Sequence, residues 1–432
     1  MKQPKGCLRF FLIGLILMTS LSIGGFYVIL NRGLYEWPDA ENQAVVLKNA
    51  QIWDGMRDSA FAGTLVIEGR DISCVGQDCE TPAGAKIIDL KGKAVLPGLV
   101  DLHTHFYAPS KENEGIGAFG QLPEFLRQRP TVRRNLHRAG ITTIRSVGDI
   151  TENIVKLRSQ IDNLTMSGPK VYATGATFTA PGGYPAGTLF KGNQNLIDQA
   201  TFEVEGKDVA RMYVDDLYEN GLSGVKIVFN DLMGTVPKMS ADLMQAIIER
   251  AHERKMWATV HTGTDADVQM AIAAGADCIE HGASDSMGMQ SIRLLAEKEV
   301  VFVPTLSFFQ ATEDASLPQR MKNAFLADSL GVILGAGTNT QQNMTFGSSL
   351  LQEMKLLTES GIPVGKVLKI ASSHGAIALR KEYAFGFLKK GLNANVLVID
   401  GQPWSAIGDI EQAWYLFQDG YMIMQEGKLA AD

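Results

Sequence analysis

LPGLVDLHTH, residues 96–105, sets a nearly unbroken apolar run against two histidines placed two positions apart. Apolar runs without polar alternation belong to strands covered on both faces, as in parallel sheets. Side chains at i and i+2 share one face of a strand, so His103 and His105 point to the same side. The stretch therefore reads as a buried strand that delivers two imidazoles to its carboxyl end.

Downstream the pattern repeats. Further strand candidates are TTIRSVG (142–148), KVYATG (170–175), GVKIVFN (224–230), WATVHTG (257–263), CIEHG (278–282), VFVPTL (301–306) and GVILGAGT (331–338). Helical patterns such as SADLMQAIIERAHERK (240–255) and DADVQMAIAAG (265–275) lie between several of them. Eight strands alternating with helices predict a (β/α)8 TIM-like barrel over residues 97–387. The alternation is clearest in the second half, and residues 106–129 read as a long loop with a helix. Residues 44–96 and 388–432 instead carry short alternating strands broken at Asn, Asp and Gly, with a hairpin signal at Asp419-Gly420. They predict one small β-sandwich domain built from both chain ends.

Residues 1–43 form a separate segment. Phe10 to Leu30 is uncharged over a length that spans a bilayer, and Lys2, Lys5 and Arg9 precede it. It predicts a transmembrane helix that anchors an exported domain; the rival reading is a cleaved secretory signal, and both place the domain outside the cytoplasm. Cys74 and Cys79 are close enough in sequence to close a small loop in an oxidising compartment, the alternative being two free thiols. Cys278 reads as a small buried residue. A formal charge of -7 over 432 residues gives no footprint for nucleic acid, and a single apolar segment argues against a transporter.

Barrel chemistry sits where strands end. Of seven histidines, four fall there: His103, His105, His261 and His281. The other three, His137, His252 and His374, lie in helical stretches and read as structural. Neutral imidazoles that converge in one cavity suit a borderline divalent metal such as zinc. Lys226, flanked by Val225, Ile227 and Val228, is expensive to bury unpaired. Either it is salt-bridged or snorkels, or its amine is carboxylated to an anionic carbamate that bridges two metals.

The order HxH, Lys, His, His in a barrel framed by a split β domain resembles the amidohydrolase superfamily. LPGLVDLHTH, AGITTIRSVGD, GPKVYATG, GVKIVFN, VHTG, IEHG and VPTL are similar to the imidazolonepropionase-related and Xaa-Pro dipeptidase (prolidase-like) group, over residues 44–420 or so. The resemblance implies a hydrolase of carbon–nitrogen bonds that uses a metal-activated hydroxide on a small amide, dipeptide or cyclic amide. It implies one or two divalent ions, with His103 and His105 holding one, His261 and His281 the other, and Lys226 as the bridging carbamate. A homo-oligomer is compatible with it.

The sequence departs from that group at three positions. An Asp that binds metal and shuttles the proton normally ends the eighth strand, and Asn339 stands there in GAGTNT. An amide carries no charge and takes up no proton; loss of a positioned acid–base costs about 10² to 10⁴ in rate. Tyr184 in PGGYP replaces an expected histidine and could polarise a carbonyl or point outward. Phe346-Gly347 replaces a His-Gly. These changes leave a second reading open, a pseudo-hydrolase that binds a ligand without turnover. Arg145, ending TTIRSVG, is a candidate for a substrate carboxylate, with an ion pair to Asp149 or a neighbouring acid as the alternative.

Overall fold

The computed structural model describes residues 35–39, 43–107, 121–341 and 344–430. The apolar stretch 10–30 lies outside them. Among the described residues no helix is long and apolar enough to cross a membrane.

Strands β1 (Val45–Ile52), β2 (Phe61–Glu68), β3 (Asp71–Gly76), β4 (Lys86–Asp89) and β5 (Ala94–Pro97) precede the barrel. The barrel itself contains β6 (Leu99–Thr104), β7 (Ile141–Ser146), β8 (Lys170–Ala173), β9 (Thr177–Thr179), β10 (Thr201–Glu203), β11 (Gly224–Phe229), β12 (Trp257–Thr262), β13 (Cys278–Glu280) and β14 (Val301–Val303). After it come β15 (Val396–Ile399), β16 (Ala413–Gln418), β17 (Tyr421–Gln425) and β18 (Lys428–Leu429).

The outer strands pair in the order β18-β17-β16-β15-β5-β1-β2-β3, with β4 on β1. The hydrogen bonding follows one continuous path through strands from both chain ends. The reason is that β15 pairs with β5 on one side and β16 on the other, so the two chain ends join edge to edge. One face buries a core of its own, including Leu47, Ile67, Val396 and Phe417. The other, through Leu96, Leu397, Leu416 and Ile423, packs into the barrel's core. At the β16–β17 turn, Asp419 and Gly420 both adopt positive φ, 47° and 80°, as a primed hairpin turn requires.

All eight barrel strands read from the sequence are present, with two local departures. The third is split into β8 and β9 around Gly175, so the parallel ladder divides into β6-β7-β8 and β10-β9-β11-β12-β13-β14. The eighth, residues 332–340, is bridged but not a regular strand. Leu334 bridges Phe302, Leu102 N–H donates to the Ala336 carbonyl, and Thr340 bridges Thr104, which closes the ring. Helices are fixed by local signals: Ser240 caps Ala241–Glu253, and Thr264 with Asp267 forms a capping box on Asp265–Ala273.

At the amino-terminal ends of the strands the chain is pinned by Tyr35, which is buried. Its hydroxyl meets His137 Nδ1 at 2.7 Å, and its carbonyl accepts from Ser167 N–H and from Arg133. His137 Nε2 in turn pairs with Gln418 Oε1 at 2.9 Å, tying the barrel to the outer sheet.

The eighth segment passes very close to the first strand. A Cβ at Gly337 would lie 2.5 Å from Val303 Cγ1 and 2.8 Å from His103 Cβ. Gly337→Ala should therefore lower unfolding free energy by about 1–3 kcal/mol through overpacking, read as a lower denaturant midpoint.

Candidate active site

The carboxyl ends of the barrel strands surround a cavity of about 320 Å³, lined by His103, His105, Lys226, His261, His281, Asn339 and Tyr184 among others. Its floor is made of histidines. Ring centroids of His103 and His281 are 4.7 Å apart, those of His261 and His281 4.4 Å, and those of His103 and His105 5.2 Å.

Three of these rings have one nitrogen engaged by a neighbour. His103 Nδ1 meets Glu280 Oε2 at 2.6 Å, His281 Nδ1 meets Thr305 Oγ1 at 2.7 Å, and His261 Nε2 meets Asn230 Nδ2 at 3.0 Å. The carboxylate on Nδ1 makes that nitrogen of His103 the protonated one, so its Nε2 lone pair faces His105 Nε2, 3.3 Å away. Burial, with Lys226 adding to it, lowers the His103 pKa to about 4 and holds His105, His261 and His281 well below the usual histidine value. All four are neutral imidazoles at pH 7, the form that binds a metal.

Glu280 organises the layer beneath. It is fully buried, and burial opposes its charge, yet Arg145, His103 and Lys226 hold its pKa well below the carboxylate range. It accepts hydrogen bonds from Arg145, Thr259 and His103. Arg145 also donates from Nε to the Leu102 carbonyl at 2.6 Å and lies over Trp257. The Arg145 guanidinium is thus an ion-pair partner below the floor and does not line the cavity. The Cys278 thiol belongs to the same cluster, 3.5 Å from Glu280, and burial pushes it up to about 12.

Lys226 enters the cavity with no hydrogen-bond partner for Nζ. Burial brings its pKa down to about 8, so a sizeable neutral fraction exists at neutral to mildly alkaline pH. Asn339 has φ 50°, its N–H donates to the His103 carbonyl at 2.7 Å, and its Oδ1 accepts from Gln341 at 2.7 Å. Tyr184 is an inner wall residue, its ring 5.4 Å from His261, and burial raises its hydroxyl to about 12. Phe346 packs behind the site against Phe106 and does not line it.

The sequence reading missed Glu280, Asn230, Thr305 and Asp101. Asp101 accepts from Thr338 and from His103 N–H, locking the first strand to the eighth. Glu280 had a signal, a carboxylate inside the otherwise apolar CIEHG; Asn230 and Thr305 are ordinary loop residues by sequence. His137, His252 and His374 all lie away from the cavity.

Among the described residues, no three His, Cys, Asp or Glu side chains by themselves form a metal-holding group. The donor chemistry nonetheless fits one: four neutral imidazoles, three oriented from behind, and an orphaned buried amine facing them. The neutral amide of Asn339 is the member that fits least.

A profile of the Amidohydrolase family matches residues 94–424. The chain belongs to the Amidohydrolase family. Within the family's reach, an uncharacterized protein of Mycobacterium tuberculosis is 28% identical over 260 residues, 58% of this chain and 59% of that relative. The match thus spans well under two thirds of that relative's length. An imidazolonepropionase of Geobacillus thermodenitrificans is 21% identical over 431 residues, covering 90% of this chain and 93% of the relative. A solved Xaa-Pro dipeptidase with bound methionine superimposes with TM-score 0.77 at 24% identity, over 88% of this chain and 99% of that one, which establishes the shared amidohydrolase fold.

The lowered histidine pKa values set an acid limit. Above the usual value of 6.5, folded and unfolded chains are both neutral at these positions and the full stability is present. As pH falls below it, the unfolded chain protonates first, and stability is lost until the folded His103 protonates near 4. Each such group contributes a slope of up to about 1.4 kcal/mol per pH unit. Buried His137, lowered to about 3, adds to the slope independently of the site. In metal-free protein the denaturant midpoint should fall steadily from pH 6.5 to 4; a flat profile would contradict these burials.

Proposed function

We propose that the protein is a metal-dependent hydrolase of carbon–nitrogen bonds in a small amide, dipeptide or cyclic amide. The observation that carries this is the floor of neutral histidines held from behind by Glu280, Asn230 and Thr305, with Lys226 unpaired beside them. Membership of the Amidohydrolase family supports it. His103, His105, His261 and His281 would hold the metal, zinc being favoured by an imidazole-rich set. When bound, such an ion supplies Lewis-acid polarisation of a carbonyl and lowers the pKa of water.

The chain's own groups then have defined parts. Glu280 keeps His103 in one tautomer. The neutral Lys226 amine is the form that adds carbon dioxide, which would turn it into an anionic carbamate suited to bridging two ions. Tyr184 would donate its hydroxyl to a substrate carbonyl, and Asn339, its oxygen already accepting from Gln341, offers an N–H and no base.

Asn339 also favours a second reading, a ligand-binding barrel without turnover. The intramolecular Cys74–Cys79 disulfide supports the export that the amino-terminal segment suggests, in an oxidising compartment.

Purified protein should carry about two equivalents of divalent metal, and Lys226→Ala should lose most of it. Full metal retention in that variant would sink the bridging carbamate. Asn339→Asp, assayed beside wild type on an amide panel, separates the two functional readings. A gain of about 10² to 10⁴ from an inert wild type identifies a disabled hydrolase. A wild type that turns over, and slows on gaining the carboxylate, shows a proton route that does not use position 339.

A further inference from the structure

The cavity wall differs in kind from its floor. Residues following the third barrel strand build one side of it, with Leu189, Phe190 and Leu196 joined by Ile150 and Tyr107 from neighbouring loops. Leu189 is 54% exposed at the rim, an apolar side chain left open to solvent beside a polar floor. Such a surface gains by being covered with apolar ligand.

Charge is placed elsewhere. Among the described residues that line the cavity, Lys226 is the only Lys or Arg, and it sits at the floor beside the histidines. Arg145, the guanidinium nearest in sequence terms to a substrate-holding role, is fully buried and committed to Glu280. Along Leu189, Phe190 and Leu196 a ligand carboxylate finds no cation among the described lining residues and loses its hydration without a charged partner.

We propose that the site selects uncharged acyl compounds, with an apolar aryl or alkyl arm lying along Leu189, Phe190 and Leu196, over free dipeptides that end in a carboxylate. This rests on the hydrolase reading only for what happens at the floor; the selection itself is a matter of binding.

N-Benzoylpyrrolidine and N-benzoyl-L-proline differ by one carboxylate and form a matched pair of probes. With zinc-loaded full-length protein in a titration calorimeter at pH 7.5, the neutral compound should bind roughly tenfold or more tighter. Leu189→Arg, a change at an exposed position, should narrow or reverse the gap with the circular dichroism unchanged. Equal or tighter binding of N-benzoyl-L-proline by wild type overturns the proposal, as does failure of both probes to bind. A clear binding preference without cleavage of either probe leaves the selection standing and counts against the hydrolase reading. Cleavage of the carboxylate compound alone does the reverse.

Discussion

The buried carboxylate of Glu280 is the constraint on which the site depends. It lies at zero exposure and is satisfied by Arg145 from β7, Thr259 from β12 and His103 from β6. A charge placed there without partners would be prohibitive, and with them it fixes four strands relative to one another across the barrel interior. The same carboxylate decides which nitrogen of His103 holds the proton. The interaction that makes the interior tolerable therefore also makes the cavity floor usable.

Much of this was legible because strand ends carrying His or Lys are rare and their order along the chain survives folding. The eight apolar runs and the Asp419-Gly420 turn act locally, so they could be read one at a time. Glu280 was passed over as the neighbour of His281, although a carboxylate within an apolar strand must find a cation somewhere. Arg145 stayed open between a substrate carboxylate and an ion pair with a neighbouring acid, because sequence places it at a strand end without saying whether it rises above the floor or lies beneath it; the ion pair, with Glu280, is the one present. Its partner, 135 positions away, exists only in the fold.

The eighth segment shows how packing overrides a strand pattern. Gly335 and Gly337 have no room for a Cβ, so the chain runs against β6 and is held by scattered bridges and by Asp101. The chain then turns at Asn339 with positive φ, which an Asn adopts more readily than most residues. The amide at this position is thus compatible with the local backbone and is further tethered by Gln341.

Tyr35 gives the molecule a polarity. It is seated among His137, Arg133 and Ser167, beside the points where strands β7 and β8 begin, whereas the cavity opens where strands end. The described residues thus begin at the end of the barrel opposite the cavity, and what happens at Tyr35 reaches the histidines only through the length of the strands.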